Sequence, residues 1–425
     1  RRTTSEVEPA NSTSLSPSRP QNAVKLGYAQ NGLLRLIRSI SVSHLLRYHP
    51  AATGLSLTVF LRTSFMQVLG FDIGGANIKA SDADGRTASV SFPMWTKHLQ
   101  LAEALASLAA QLCPKPDMVA ATMTAELADC FTTKAEGVTH VIDAIEQAFP
   151  NVPIRIWMTS GEFAEPEDAR ELPTLIAAAN WHALATWAGR AVPGGAALLI
   201  DVGSTTTDII PILDGYPVSK GLNDVERLMN GELVYTGSFR TPVCAVVSSV
   251  PFRKKRCPMA AEVFATMADV LLIAGLRDED AANSNTTDGR PLTRANSLNR
   301  LAHMICCDST EVSEQELQQI AEYILQEQRQ QLCNALQIVL ATLAVAARNP
   351  DQMSSRAVKP AVLFSGSGAA IARNAVELLG DSCFSNQMFL PDMFSRPISA
   401  CACAFAVARL CHDRCRDDLL EVSVF

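Results

Sequence analysis

The chain has 425 residues, 48% of them hydrophobic and 19% charged, which gives material for a sizeable core and excludes a wholly disordered or collagen-like chain. Its net charge of −7 argues against a general nucleic-acid binder, whose phosphate affinity comes from clustered Lys and Arg. No apolar run reaches the ~18 residues a membrane helix needs; the nearest, around Ile338–Ala347, is interrupted too soon. The length suits two domains. Twelve cysteines include no Cys-x-x-Cys pair, and Cys306-Cys307, Cys401-x-Cys403 and Cys411-x3-Cys415 lack partners at zinc spacing. Reduced thiols in a cytoplasmic protein are therefore expected.

Residues 1–65 read differently from the rest. They hold 8 Lys+Arg against 2 Asp+Glu and are rich in Ser, as in Asn11-Ser12-Thr13-Ser14. Such a composition also suits a targeting segment. The expectation is a disordered or spurious N-terminal extension, with translation starting at Met66 just before the first strong strand.

From there the elements alternate. Val68–Ile73 is an apolar run stopped by Gly74-Gly75, a buried strand and turn. Ile78–Ser81 and Thr87–Phe92 continue as strands, and Leu99–Leu112 has helical spacing. Met118–Met123 is a strand, Val138–Phe149 a helix and Ile154–Met158 a strand. One long Ala-rich helix is expected over Asp168–Ala188, then a strand over Ala196–Val202. Loops and helices fill Tyr216–Asp308, and a long helix runs from Ser313 to about Arg348. Ala361–Ser365 is a strand closed by Gly366-Ser367-Gly368 and followed by a helix over Ala369–Leu379. A final helix spans Ser399–Cys411, with a charged tail from Asp413. Strands alternating with helices predict a largely parallel sheet covered by helices. The expected organisation is an N-terminal lobe over 66–195, a C-terminal lobe with a helical insertion over 196–412, and a tail over 413–425.

A repeat stands out. Asp72-Ile73-Gly74-Gly75 and Asp201-Val202-Gly203-Ser204 each follow an apolar strand and precede a second strand, 129 residues apart. That distance means two similar domains rather than a solenoid. Glycines allow backbone N–H groups to approach a ligand and adopt positive φ, and successive N–H groups make an anion-binding concavity. An Asp at the strand end suits Mg²⁺, a hard cation that takes carboxylate, water and phosphate oxygens. Ser204, Thr205, Thr206 and Thr207 add four hydroxyls beside the second turn. With the strand–Gly366-Ser367-Gly368–helix turn, the two hairpins can embrace a polyphosphate between domains.

These three segments resemble the two phosphate loops and the adenosine loop of the actin/Hsp70/sugar-kinase superfamily, and more narrowly its hydantoinase/oxoprolinase branch. The narrow resemblance rests on Gly74-Gly75-Ala76-Asn77, the string from Thr122 to Phe131, Ala179-Asn180-Trp181-His182-Ala183, the string from Gly231 to Gly237, Arg240-Thr241-Pro242 and Asp288-Gly289-Arg290-Pro291, and covers about residues 67–412. Within the branch the chain is similar to the group tied to tetrahydromethanopterin-linked one-carbon transfer, which includes an archaeal methanofuran-pathway enzyme. The resemblance implies two ribonuclease-H-like lobes of α/β fold with a phosphate-binding cleft. It implies Mg²⁺ with ATP or a diphosphate substrate, acting on a small phosphorylated molecule, with a homo-oligomer or a pathway enzyme as partner.

Roles follow residue by residue. Asp72 and Asp201 position Mg²⁺; Asp208 orients a nucleophile or a metal-bound water. Gly74, Gly75, Asn77, Gly203 and Ser204–Thr207 are expected to receive phosphate, and Lys79 either to offset its charge or to stand as a solvated cation. Glu126, just after a strand, serves as general base or holds a substrate amine. Gly366, Ser367, Gly368, Asn180, Arg240 and Arg290 are expected to bind nucleotide or substrate, the arginines either as bidentate clamps or simply as exposed side chains. Trp181 reads as packing and His182 as a satisfied core residue. Arg253-Lys254-Lys255-Arg256 reads as a solvated loop. Where this chain has Asn223-Asp224, the resemblance leads to Thr-Asp. Three activities remain open: a transferase displacing diphosphate from a furanmethanol diphosphate with a tyramine-type phenol, an ATP-dependent cyclic amidohydrolase, and a non-catalytic nucleotide-binding partner.

Overall fold

The computed structural model describes residues 66–347 and 359–422; the N-terminal extension expected over 1–65 lies outside the described residues. The first sheet forms from β1 (Val68–Ile73), β2 (Asn77–Asp82), β3 (Thr87–Ser91), β4 (Met118–Met123), β5 (Ile154–Trp157) and β6 (Phe163–Ala164) in the order β3-β2-β1-β4-β5-β6. Two hairpins give antiparallel pairing on one side of β1, and crossovers give parallel pairing with β4 and then β5. The crossovers are α1 (Leu101–Leu112) and α2 (Lys134–Ala148), the latter started by Thr133, whose side chain accepts from the Glu136 N–H at 3.1 Å.

The second half repeats this plan. β7 (Ala196–Val202), β8 (Thr207–Leu213), β9 (Tyr216–Pro217), β10 (Leu233–Val234), β13 (Ala361–Ser365) and β14 (Asn386–Phe389) form a sheet in the order β10-β8-β7-β13-β14, with β9 against β8. β7 is antiparallel to β8 and parallel to β13, as β1 is to β2 and β4. This is the duplicated ribonuclease-H-like α/β architecture that the resemblance implied.

Strand alternation sorts the side chains into layers. Leu69, Phe71 and Ile73 pack on α1 and α2. Leu198, Ile200 and Val202 pack outward on α7 (Met267–Ile273), α9 (Glu314–Ala346) and α10 (Ala369–Leu379). The opposite faces share one helical layer, α5 (Asn180–Ala188) with α11 (Ala402–Val422). Val68 and Met118 meet Ala183, Val407 and Leu410, while Ala197 and Leu199 meet Trp181, Leu184 and Ala406. The approach is close because Gly70 lacks a side chain: a Cβ there would sit 2.2 Å from the Ala404 carbonyl. Asp72 and Asp201 fall on these inner faces by the same alternation.

Three expectations are corrected. The helix over Asp168–Ala188 is broken into α3 (Pro166–Glu171), α4 (Pro173–Ile176) and α5, because Pro173 cannot continue a helix and Ala178 takes φ +52°. The middle region carries α6 (Asp224–Met229) and α8 (Arg294–His303) but also a hairpin, β11 (Ser249–Phe252) with β12 (Lys255–Pro258), turning at Arg253 and Lys254 with φ 47° and 64°. The Arg253–Arg256 cluster is therefore partly strand. The tail from Asp413 is a continuation of α11, held by Arg190 to Asp413 at 2.7 Å and Arg414 to Glu162 at 2.6 Å. No helix among the described residues is long and apolar enough to cross a membrane.

Candidate functional site

The two hairpins close in the same way. The Gly74 N–H donates to the Asn77 carbonyl at 3.0 Å, and the Gly203 N–H to that of Thr206 at 2.9 Å. Neither turn uses a left-handed glycine; among the glycines of the three loops, Gly366 alone takes positive φ, at +82°. The freedom expected at Gly74, Gly75 and Gly203 is thus close approach rather than positive φ. At Gly366 both apply: a Cβ would lie 2.3 Å from the Val202 carbonyl and 2.7 Å from Asp201 Oδ1.

Pairing registers place matching rows of polar residues at the strand ends. Asp72 stands between Lys79 and Thr122, and Asp201 between Asp208 and Ser365. Asp72 Oδ1 and Thr122 Oγ1 are buried without a hydrogen-bond partner, and in the second row Asp201 faces the Ser365 hydroxyl. Unpaired buried polar atoms are costly, so the first row is a candidate place for a polar ligand. The rows share a field. Burial pushes Asp201 up to about 6, reinforced by Asp208 and Asp72 and opposed by a hydrogen bond from Ser365 and by Lys79. Burial likewise raises Asp72, which Lys79 opposes and Asp208 supports. At Lys79 burial favours the neutral form, but Asp72 and Asp201 outweigh it and keep the ammonium charged. The coupling of Asp72 and Lys79 with Asp201 and Asp208 brings the strand ends of the two hairpins close together.

The third turn joins the second. The Gly368 N–H donates to the Val202 carbonyl at 2.9 Å, and Ser367 Oγ lies 2.8 Å from Ser238 Oγ, which itself donates to the Gly203 carbonyl at 3.1 Å. Across the cleft the Arg240 guanidinium lies 5.4 Å from the Trp95 ring. Arg240 is anchored by its own N–H to the Ser204 carbonyl at 2.8 Å, while the Met94 N–H beside Trp95 donates to the Gly75 carbonyl at 2.9 Å. Both phosphate-loop candidates thus carry one half of this cation–π pair.

Other candidates land differently. Thr207 is corrected: fully buried, its hydroxyl donates to the Thr236 carbonyl at 2.7 Å and fastens the hairpin instead of lining the loop. Ser204 and Thr205 keep half-exposed hydroxyls 3.4 Å apart. Asp208 is held by Arg227, whose guanidinium reaches its Oδ1 at 2.6 Å and stacks 4.2 Å over the Trp181 ring. Burial still raises Asp208 despite Arg227. Arg290 is exposed on the Asp280–Leu292 loop; the buried arginine of that region is Arg300, paired with Asp269 at 2.6 Å and Asp288 at 2.9 Å. Asn180 opens α5 with its Nδ2 3.9 Å from Cys403 Sγ. Cys403 reaches the cleft too, its thiol pushed up by burial and by Asp72 and Asp201. His182 is buried, 3.3 Å from the Thr186 hydroxyl, and burial with Arg227 and Arg414 holds it down to about 4, so it is neutral at pH 7. Asn223 caps α6, accepting from the Glu226 N–H at 3.1 Å, a role Thr fills equally well.

The donor set fits Mg²⁺. No three His, Cys, Asp or Glu side chains cluster as a metal cage among the described residues. Mg²⁺ does not need one: it is usually held by one or two carboxylates, with water and substrate phosphates completing an octahedron. The buried oxygens of Asp72 and Asp201 offer that minimum.

The family model for hydantoinase/oxoprolinase matches residues 117–414. A (4-{4-[2-(gamma-L-glutamylamino)ethyl]phenoxymethyl}furan-2-yl)methanamine synthase from Methanocaldococcus jannaschii is 34% identical over 348 residues, covering 81% of this chain and 97% of the relative. The synthase of the same name from Methanococcus vannielii is 30% identical, over 50% of this chain and 89% of the relative. A nucleotide-free acetone carboxylase structure is 12% identical with a TM-score of 0.48, covering 80% of this chain and 70% of that one.

Proposed function

Since the chain belongs to the hydantoinase/oxoprolinase family, we propose that it is a condensing transferase that makes an aryl ether by displacing diphosphate from a furanmethyl diphosphate. The product named for the archaeal relatives contains a phenoxymethyl link between a tyramine-type ring and a furan. To build that link, the phenol oxygen bonds to the furan methylene carbon while the bond from that carbon to a leaving oxygen breaks. The phenol loses its proton, and diphosphate departs with the electron pair. In this reading the enzyme serves methanofuran- and tetrahydromethanopterin-linked one-carbon metabolism in the cytoplasm, its lobes divided as 66–195 and 196–412.

The observation that carries the proposal is the pair of inner carboxylates, Asp72 and Asp201, each with a buried oxygen beside a half-exposed glycine hairpin. Mg²⁺ held there would neutralise charge gathering on the departing diphosphate. With the Gly74 and Gly203 N–H groups closing their hairpins, Gly75 and Asn77 on one side and the hydroxyls of Ser204, Thr205 and Thr206 on the other receive phosphate oxygens as preorganised donors. Lys79 and Arg240 add positive charge, and the Gly366–Gly368 turn with Asn180 borders the organic part. Asp208, oriented by Arg227, faces the nucleophile.

The family match favours one second reading, an ATP-dependent hydrolase of a cyclic amide. One experiment separates them. Purified protein with Mg²⁺ receives either a furanmethyl diphosphate with a tyramine-type phenol, or ATP with hydantoin or 5-oxoproline. Diphosphate release in the first mixture alone supports the transferase. ATP turnover stimulated by the lactam overturns it, as does nucleotide binding with no turnover in either mixture.

A further inference from the structure

The turn after β4 buries a carboxyl group and leaves part of it unpaired. Glu126 is 1% exposed, and its Oε2 has no hydrogen-bond partner. Its surroundings are tight. A Cβ on Gly137 of α2 would come within 2.4 Å of the Glu126 carbonyl, and Ala178, strained at φ +52°, approaches with its backbone just before α5. Two charged side chains face it, Lys134 at the start of α2 and Asp224 at the start of α6, and they are paired with each other at 3.7 Å. The near cation is thus committed elsewhere. Burial, reinforced by Asp224 and opposed by backbone hydrogen bonds from Glu126 itself and Ala178 and by Lys134, pushes Glu126 up to about 7.

The position is at the cleft. The Thr124 N–H, two residues earlier, donates to the Ile73 carbonyl at 2.9 Å, and Thr124 Oγ1 would lie 3.4 Å from a Cβ on Gly74. Glu126 therefore sits on the same rim of the first sheet as the first phosphate-loop candidate. A buried carboxylate that lacks a cation either keeps its proton or waits for a positive ligand.

We propose that Glu126 receives a protonated primary amine from one of the two substrates, which makes the site selective for an ammonium held beside the diphosphate. This rests on the transferase reading, whose product carries two such amines: the aminomethyl arm of the furan and the α-amine of the glutamyl group. An ammonium supplies both the missing donor and the missing charge. A neutral group at the same place would supply only the donor.

Binding tests this independently of turnover. Calorimetry would compare furanmethyl diphosphates bearing aminomethyl or methyl, and tyramine amides bearing γ-glutamyl or glutaryl, on the full chain and on Glu126→Gln. We expect the wild type to prefer the amine in one of these pairs by on the order of 10- to 100-fold, the range for a hydrogen bond to a charged group, and Glu126→Gln to erase that preference. Which pair shows it identifies the amine. The preference should also grow as the pH rises from 6 to 8 and Glu126 loses its proton, a readout that needs no variant. The proposal is overturned if the wild type shows no preference in either pair, or if Glu126→Gln, folded with an unchanged melting temperature, keeps it. Failure of the wild type to release diphosphate would instead count against the transferase reading.

Discussion

Lys79–Asp72–Thr122 and Asp208–Asp201–Ser365 are the same three-strand row written twice, with one cation exchanged for a carboxylate. That exchange tilts the charge between the two rows and makes Asp201 sensitive to pH. Its carboxyl is raised from an ordinary 3.8 to about 6, so burial in the fold favours its protonated form. The resulting stabilisation is complete below about pH 4 and is lost as the pH rises through about 6. Mg²⁺ competes with that proton, so the rise in melting temperature that Mg²⁺ produces should be large at pH 7.5 and nearly vanish at pH 5; an equal rise at both would contradict the metal assignment. Asp201→Asn should lower kcat by on the order of 100-fold or more while leaving the melting temperature unchanged or higher, since a costly buried charge is removed. Arg227 behaves oppositely. It is 1% exposed and offsets Asp208, so Arg227→Met should destabilise by about 3–5 kcal/mol in denaturant melts. Adding Asp208→Asn should recover part of that loss. The two aspartates and their glycines were legible because the whole signal lies within a few consecutive residues. Thr122, Ser365, Arg227 and Trp95 were not, because strand pairing or a contact across the cleft brings them in from distant sequence. Thr207 was misread since composition cannot tell which side of a hairpin a hydroxyl faces.

Strand ends were readable to within a residue or so at β1, β4, β7 and β13, all continuous apolar runs stopped by glycine or polar residues. Breaks inside helices were harder. The Ala-rich stretch before α5 has helical spacing, yet Ala178 leaves the helix to bring its backbone to Glu126, a tertiary demand that outweighs propensity. Relieving that strain with Ala178→Gly should leave stability equal or raise it by about 1 kcal/mol in a thermal melt. Gly366→Ala should do the reverse. A Cβ at φ +82° meets both the Val202 carbonyl and Asp201 Oδ1, so a loss of about 2 kcal/mol or more is expected, together with weakened diphosphate binding.

At the scale of the whole molecule, two copies of one sheet face a shared layer made of α5 and α11, and the inner aspartates stand at its edge. The alternation of elements and the repeated Asp-x-Gly motif made the duplication visible in sequence. The helical layer was hidden, because nothing in the local pattern of Ala402–Cys411 says that it packs on β1 some 330 residues earlier. The central claim is that the two hairpins together hold one diphosphate. A crystal structure of the protein grown with Mg²⁺ and inorganic diphosphate tests it most directly. The account expects a single diphosphate touching the backbone at both Gly74 and Gly203, with its metal beside Asp72 and Asp201. Diphosphate bound to only one hairpin, or away from both, would contradict it.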